Sequence, residues 1–412
     1  MTPHRMAAVD AQFYWMSAKI PNDEFLLYVF AGVPADFDGA VDAVLARARA
    51  CPDLTMRVDD GWALTYPTWV PATEHVGAVR HELADDTWRG CLDAVARLAG
   101  DQLDIRRGPW RLHVFTPVRE LPGGTGPGTV AVLQVAHALA DGARASALAA
   151  WLFGRNAPVP ALTRPPRGFL PWRAAAAARA HRHLVRDTEA GLLPESAGSW
   201  PVAVTNTRPD GARTLRTLVR RRAQLLGPTV TVGVLTAVST ALSGYLATAD
   251  DRLGAEVPLA KPGARLAHNH FRNVSVGLYP TLKPPARAER IAADVADGRR
   301  RAQHPAAAAA DRAFAAVPAP LLRWGVGQFD PDVRPQQVGG NTVVSSVHRG
   351  AADLRFGDAP VLLTAGYPAL SPAMGLTHGV HGIGDTVAIS VHAAESAIGD
   401  VDDYLRRLDA AL

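Results

Sequence analysis

Residues 129–142 read TVAVLQVAHALADG, and the character of the chain changes within them. β-Branched and other apolar residues dominate 129–136, which predicts a buried strand. His137 follows the strand directly, and Asp141 and Gly142 stand four and five residues after it. An Ala-rich stretch with helical spacing then begins. The pattern predicts a strand that presents a histidine at its end, before a turn leads into a helix.

This placement makes His137 a candidate general base, because an imidazole titrates near neutral pH and accepts a proton from a hydroxyl or an amine. Asp141 has two interpretations: it orients the imidazole, or it braces the turn through backbone and guanidinium contacts. Gly142 is expected to allow a backbone conformation or a close approach that a Cβ would block. The alternative for all three is a buried histidine and a helix-capping aspartate without chemistry.

Composition narrows the class of protein. With 412 residues the chain has room for roughly two to four domains, and 48% hydrophobic against 20% charged residues excludes wholesale disorder. A net charge of +4, from 43 basic and 39 acidic residues, argues against a dedicated nucleic-acid binder. Cys51 and Cys91 cannot form a disulfide framework, which favours a reduced, cytoplasmic setting. The histidines lack metal-ligand spacing, and no Walker loop or dinucleotide fingerprint occurs, so neither a metal nor a permanently bound cofactor is predicted.

The chain divides into two mixed α/β halves. Residues 161–210 contain a Pro-rich stretch, an Ala- and Arg-rich helical stretch and a Gly/Pro/Ser loop, which together predict a crossover linker. The N-terminal subdomain would then span 1–160 and the C-terminal subdomain 211–412. An Arg-rich helix is predicted near 213–226.

One segment needs to be weighed as a membrane span. Residues 223–249 carry no charge over a length that crosses a bilayer. Pro228, three glycines and many hydroxyl residues favour a buried helix of a soluble protein instead. The first fifteen residues contain no apolar core of signal-peptide length, so secretion is not expected.

Six further segments, taken in order with the histidine motif, resemble the CoA-dependent acyltransferase superfamily. The chain is most similar to its bacterial wax ester synthase/diacylglycerol acyltransferase branch. The superfamily also includes plant acyltransferases and peptide-synthetase condensation domains, and it shares an H-H-x-x-x-D-G signature. The segments are VDAQFYW (9–15), CPDLTMRV (51–58), GPWRLHVF (108–115), TVTVGVLTAVSTAL (229–242), NHFRNVSVGLYP (269–280) and residues 375–412.

The sequence departs from the family pattern at three places. Ala136 replaces the first histidine of the signature, and the "PLW" segment lacks its leucine. Thr231 and Val232 replace an "ND" pair. The second histidine, which the resemblance implies is catalytic, is kept as His137. These differences predict a divergent member.

The resemblance implies a pseudo-dimer of two chloramphenicol-acetyltransferase-like subdomains of mixed α+β structure, with His137 in a central tunnel. His137 would be the general base, without an acyl-enzyme. Asp141 is implied to be structural and paired with an arginine. Ser345 and Ser346, in VVSSV, resemble a strand near the tunnel and are candidate lining residues and oxyanion donors. Their alternative is a strand serine that faces solvent or a neighbouring strand.

The implied activity is transfer of an acyl group from a thioester, acyl-CoA as co-substrate, to a hydroxyl acceptor. A long-chain alcohol, a diacylglycerol and a specialised metabolite are all candidate acceptors. One alternative is a condensation-type enzyme that forms an ester or amide from a donor held on a carrier protein. The other is a catalytically degenerate binding or scaffold protein. Peripheral attachment to a lipid surface fits the implied substrates, and a monomer is compatible with the sequence, which does not define the oligomeric state.

Overall fold

A computed structural model describes residues 3–73, 77–163, 168–248 and 250–412 of the chain. The helices in these ranges are α1 (Ala8–Ser17), α2 (Phe37–Ala50), α3 (Trp88–Leu98), α4 (Gly142–Leu152), α5 (Leu170–Glu189), α6 (Val230–Tyr245), α7 (Pro284–Gln303), α8 (Pro305–Phe314), α9 (Ala319–Gly327) and α10 (Val401–Ala411).

The strands in the same ranges are β1 (His4–Arg5), β2 (Glu24–Ala31), β3 (Met56–Asp59), β4 (Thr68–Pro71), β5 (Ala78–His81), β6 (Trp110–Val118), β7 (Gly128–Val135), β8 (Trp200–Pro201), β9 (Arg213–Arg221), β10 (Gly254–Ala260), β11 (Phe271–Gly277), β12 (Gln337–Val338), β13 (Thr342–His348), β14 (Arg355–Phe356), β15 (Ala359–Gly366), β16 (Leu376–Ile383) and β17 (Thr386–Ala394).

Two six-stranded sheets form the frame of the molecule. The first has the order β14-β15-β2-β7-β6-β5, and the second has the order β11-β10-β13-β16-β17-β9. The first is antiparallel except for β5 with β6, whereas β10, β13 and β16 run parallel in the second. The predicted mixed α/β architecture of two sheet-and-helix halves is confirmed.

Helices cover both sheets because alternate strand residues point to opposite faces. In β2, Leu26, Tyr28 and Phe30 join a core with α2 and α4, while Leu27 and Val29 join a second core with α3. On the second sheet, α6, α7 and α10 enclose a third core. All eight residues of β7 are buried, as expected of a central strand.

The two halves of the chain interlock. Strands β14 and β15, at 355–366, come from the second half but complete the first sheet, where β15 pairs with β2. Side chains of α9, also from the second half, pack into the first core. The division into 1–160, 161–210 and 211–412 stays a prediction, and its linker contains the 20-residue helix α5.

The prediction of an Arg-rich helix near 213–226 is wrong, because residues 213–221 form strand β9 against β17. Arg213, Arg216 and Arg220 recur at the three- and four-residue spacing of a helix face, but Thr and Val between them favour a strand. Leu215 and Val219 then face the core that contains α3. Arg216 is paired with Asp93 and Asp402.

The uncharged segment forms the buried helix α6, which begins only after Pro228. Its side chains pack with those of α7 and α10 in the third core. Among the helices of the described ranges, none combines the length and the apolar character that crossing a bilayer requires.

Candidate active site

His137 lies in the turn between β7 and α4, at the predicted position. Strand β7 ends at Val135, and the amide of Leu139 donates to the carbonyl of Ala136 at 2.8 Å, which closes the turn. Helix α4 begins at Gly142. Solvent reaches 17% of the His137 side chain, so the ring is mostly enclosed but not sealed.

Two aromatic rings and one carboxyl group surround the imidazole. Phe13 stacks on it with ring centroids 3.9 Å apart and planes 14° from parallel. The ring of Phe271 is also stacked on the imidazole, with the two centroids 5.7 Å apart and the planes 23° from parallel. Glu24 places Oε1 3.7 Å from Nε2. Within the described part of the chain, the buried Nδ1 has no hydrogen-bond partner, so Nε2 is the nitrogen that faces another polar side chain.

Burial controls the protonation of this pair. It lowers the pKa of His137 below the usual 6.5 and raises the pKa of Glu24 to about 8. The imidazole is therefore neutral at neutral pH, and its lone pair is available to a proton. A neutral histidine is what general-base chemistry needs.

Asp141 braces the turn. Oδ1 accepts from the backbone N–H of Arg144 at 2.9 Å, which caps α4. Oδ2 accepts from Arg265 Nη1 and from the His270 amide, both at 2.8 Å. Because both oxygens are engaged by backbone and guanidinium N–H groups, the structure favours the bracing interpretation over orientation of the ring, and it supplies the arginine partner that the resemblance implies.

The expectation for Gly142 is wrong. Gly142 is the first residue of α4 and is absent from the glycines with positive φ. A Cβ added there would lie 3.7 Å from Val347 Cγ2, an ordinary van der Waals distance. Neither backbone conformation nor close approach demands a glycine at this position.

The two candidate serines lie on opposite faces of β13. Ser346 accepts a hydrogen bond from Thr231 Oγ1 at 2.9 Å, so it faces α6. Val347 lies beside Gly142, and Ser345 shares its face because strand residues alternate. Of the two, Ser345 is therefore the one on the same side as the motif.

Asn269 and Asp10 hold the backbone of His137, and sequence analysis assigned a role to neither. Asn269 Nδ2 donates to the carbonyl of His137 at 2.7 Å and to Asp10 Oδ1 at 2.9 Å. Asp10 also accepts from the amides of Asn269 and His268, each at 2.9 Å. Burial raises the pKa of Asp10 to about 7, although these hydrogen bonds act to lower it.

A signal for one of these residues was present in the segments already quoted. Asp10 and Phe13 belong to VDAQFYW, and Asn269 and Phe271 belong to NHFRN. Asp10 stands between Val9 and Ala11 in an apolar stretch, which is typical of a buried hydrogen-bonding residue, whereas Asn269 stands between two histidines and has no such signal. Glu24 opens an otherwise apolar strand, but nothing in the sequence places it beside His137.

A cavity of about 1470 Å³ lies behind the turn, between segments of both halves. Its wall is largely apolar, with Met6, Tyr66 and Val159 among the lining residues, and includes the buried polar residues Asp10 and Arg144. His137 is not one of the lining residues. Asn269 connects the cavity wall at Asp10 to the His137 carbonyl, so the ring and the cavity lie on two sides of one hydrogen-bonded wall.

Arg144 anchors this wall. Its side chain is 3% exposed and forms a 2.6 Å ion pair with Asp53. Next to Asp53, the carbonyl of Leu54 accepts a hydrogen bond from Trp110 Nε1 at 2.8 Å. In the described ranges no group of three or more His, Cys, Asp or Glu residues could hold a metal ion.

No protein-family model and no curated protein matches the chain. Solved structures do match along its whole length. A wax ester synthase/diacylglycerol acyltransferase from Marinobacter aquaeolei VT8 superposes with a TM-score of 0.63 at 18% identity, covering 99% of this chain and 98% of that one.

The starter condensation domain of rhizomide synthetase RzmA gives similar values. A substituted form in complex with C8-CoA and Leu-SNAC has a TM-score of 0.61 at 14% identity, covering 99% of this chain and 93% of that one. Another in complex with C8-CoA has a TM-score of 0.62 at 14% identity, covering 99% and 94%. These likenesses confirm the predicted fold, which this chain shares with those proteins at low sequence identity.

Proposed function

We propose that this chain, with the fold of wax ester synthases and condensation domains, is an acyltransferase that uses acyl-CoA and a hydroxyl acceptor. The observation that supports this most directly is the neutral, partly exposed imidazole of His137 at the end of β7. A base needs such a lone pair in a site that is enclosed without being sealed. Cytoplasmic location is part of the same proposal.

The reaction is a direct transfer. His137 Nε2 takes the proton of the acceptor hydroxyl as its oxygen attacks the thioester carbonyl. The tetrahedral intermediate collapses, the C–S bond breaks, and the imidazolium returns the proton to the leaving thiolate. The products are an ester and free CoA, and the enzyme returns to its starting state. Ser345, on the face of β13 beside the motif, is the proposed donor to the oxyanion.

The surroundings of the ring suit this cycle. Phe13 holds the plane of the imidazole by stacking, and Asn269 fixes the backbone that carries it. Glu24 lies 3.7 Å from Nε2, and when its carboxyl group ionises, as pH rises through its pKa of about 8, it favours the imidazolium that forms after proton abstraction. In this role Glu24 is a positioning residue that acts through His137.

The cavity behind the turn is the proposed site for the acyl chain. Its volume of about 1470 Å³ exceeds the roughly 300–1,000 Å³ of ordinary small-molecule pockets. Its apolar walls favour burial of hydrocarbon. Because the wall at Asp10 and Asn269 separates it from His137, the proposal requires this wall to open when the thioester carbonyl approaches the ring.

A condensation reaction is the second candidate. The specific observation in its favour is that a neighbour of almost equal TM-score was solved with C8-CoA and the aminoacyl thioester Leu-SNAC. The same base would then take a proton from an amine, and the product would be an amide. The acyl group would then be donated from a thioester on a carrier protein instead of from acyl-CoA.

One assay tests both candidates. Octanoyl-CoA and palmitoyl-CoA are offered with hexadecanol, diacylglycerol or Leu-SNAC, and both thiol release and the acylated product are measured. His137→Ala is expected to lower product formation by about 10²–10⁴-fold while the thermal unfolding midpoint stays close to that of the parent. His181→Ala, which removes an exposed histidine of α5, is the matched control.

Each result decides between the candidates. Ester formation supports the alcohol acceptor, and amide formation supports condensation. Thiol release without an acylated product would mean hydrolysis and would contradict both. Equal turnover by His137→Ala and the parent would exclude His137 as the base. No turnover of any pair by the parent would contradict the acyl-CoA proposal and would leave the binding or scaffold alternative and a condensation reaction with a carrier-bound donor.

A further inference from the structure

Six large apolar side chains are exposed on three segments that are far apart in the chain. Trp172 is 75% exposed and Trp324 is 63% exposed, values unusual for tryptophan, which is mostly buried in globular proteins. The full set consists of Trp62, Leu64, Phe169, Trp172, Leu321 and Trp324. We call this set the apolar rim.

The apolar rim adjoins the large cavity. Leu64 itself lines the cavity and is 66% exposed, so the cavity reaches the surface there. Gly168 and Pro320 also line the cavity, and they directly precede Phe169 and Leu321. Each of the three exposed segments therefore contains, or directly follows, a residue that lines this cavity.

Helix α5 adds positive charge beside this cavity. Trp172, Arg179, Arg182 and Arg186 are all exposed, and at 3.6 residues per turn they share one face of the helix. The opposite face, with half-buried Ala177, Ala180 and Leu184, packs toward α8.

The arginines of this face are available to a partner. Arg179 and Arg182 form no ion pair or hydrogen bond with any described residue, and Arg186 contacts only the neighbouring His183. The acidic residues of α5 stand near its C-terminal end, where Asp187 accepts from His304 at 3.2 Å. The exposed face is thus basic along most of its length.

We propose that the apolar rim and the basic face of α5 dock this protein on an anionic lipid surface. Tryptophan and leucine side chains at a membrane interface bury their apolar parts among the acyl chains. Each arginine near an anionic leaflet contributes about 1 kcal/mol of attraction.

Docking in this orientation aims the cavity entrance at the lipid. A hydrocarbon chain would then pass from the lipid into the cavity without exposure to water. The docking is independent of the chemistry at His137, whereas its use in substrate delivery rests on the proposed acyltransferase function.

Vesicle sedimentation tests the proposal with the full chain. Vesicles of phosphatidylcholine containing about one-third phosphatidylglycerol are compared with phosphatidylcholine alone, and a preference of at least about tenfold for the anionic vesicles is expected. Trp172→Ser with Trp324→Ser is expected to weaken binding to the anionic vesicles by at least about tenfold. Arg179→Glu with Arg182→Glu is expected to do the same and to remove the preference for negative charge.

Leu226→Ser is the matched control, because Leu226 is 80% exposed but lies outside the apolar rim. Thermal unfolding of every variant shows that the fold is kept. The proposal is overturned if the parent does not bind vesicles, or if the rim variants bind as the parent does. It is also overturned if size-exclusion chromatography shows an oligomer that the rim variants dissociate, since the rim would then be a protein interface.

Failure of docking and failure of the proposed function are separate results. Acyl transfer by the parent is measured with octanoyl-CoA and a short, soluble alcohol in the absence of vesicles. Acyl transfer without vesicle binding would support the proposed enzyme activity and contradict the proposed docking surface. Vesicle binding without acyl transfer would support the proposed docking surface and contradict the proposed enzyme activity.

Discussion

Two segments from opposite halves of the chain meet at the candidate site, and they contribute different things. The turn at 136–142 brings the reactive ring of His137 and the carboxylate of Asp141. The segment at 265–271 brings the groups that hold this turn: Arg265 binds Asp141, and Asn269 binds the His137 carbonyl. The motif carries the proposed base, but its geometry depends on residues more than a hundred positions away.

The sheets show the same dependence. The second sheet is built from 213–394 alone, whereas the first needs β14 and β15 from 355–366. The half that carries His137 thus cannot complete its own sheet. Separate expression of the two halves would remove both the edge of the first sheet and the contacts that hold the turn.

The strongest way to break the connection between the two segments is Asp141→Asn. The substitution keeps one oxygen for the helix cap but turns an NH₂ group toward two donors, Arg265 and the His270 amide. The substitution breaks a buried ion pair, in which the side chain of Arg265 is 12% exposed and that of Asp141 is 5% exposed. We therefore expect the free energy of unfolding to fall by roughly 3–5 kcal/mol. Urea denaturation measures this, and acyl transfer should fall with it.

The control is Arg89→Ala, which breaks a surface pair with Asp402 in which both side chains are well exposed. Such a pair contributes about 0–1 kcal/mol. Equal losses from the two substitutions would mean that the link between the turn and Arg265 contributes no more than a surface contact.

Glu24→Gln tests whether the carboxyl group of Glu24 acts on the imidazole of His137. The expected effect appears in the dependence of kcat on pH. Burial raises the pKa of Glu24 to about 8, so the carboxyl group is mostly protonated at neutral pH. As pH rises through about 8 it ionises, and the carboxylate 3.7 Å from Nε2 stabilises the imidazolium. We expect kcat of the parent to rise roughly tenfold there, and the variant to lack this rise.

The measurement is kcat against pH, with the uncatalysed hydrolysis of the thioester subtracted. Glu82→Gln, at an exposed glutamate, serves as the matched control and should follow the parent. A rise of the same size in Glu24→Gln would show that Glu24 does not act on the imidazole.

The smallest effect is expected for Gly142→Ala, because neither of the two segments requires a glycine at this position of the turn. The new methyl group would meet Val347 at an ordinary distance, and alanine is the better helix former. We expect stability to change by less than about 1 kcal/mol and activity to be kept. A large loss of activity with unchanged stability would instead place the glycine against a bound substrate.

Some features could not be predicted from the sequence, for physical reasons that particular residues show. Arg213, Arg216 and Arg220 have the spacing of a helix face, and only the pairing of β9 with β17 decides for a strand. Ser345 and Ser346 are equivalent in the sequence, and only the contact of Ser346 with Thr231 separates them. Glu24 was missed because its proximity to His137 depends on the register of β2 against β7, where Glu24 pairs with Val135.

The sequence by itself determined the strand, the turn and the helix around His137, since alternation, composition and a capping aspartate act within a few residues. It also determined the overall fold, because ordered segments along the whole chain matched one superfamily. The tertiary structure alone decided what holds the ring: Phe13 on its face, Asn269 on its backbone and Arg265 on Asp141. These contacts join residues more than a hundred positions apart, and their energy comes from burial and hydrogen bonding that exist only after the two sheets have packed.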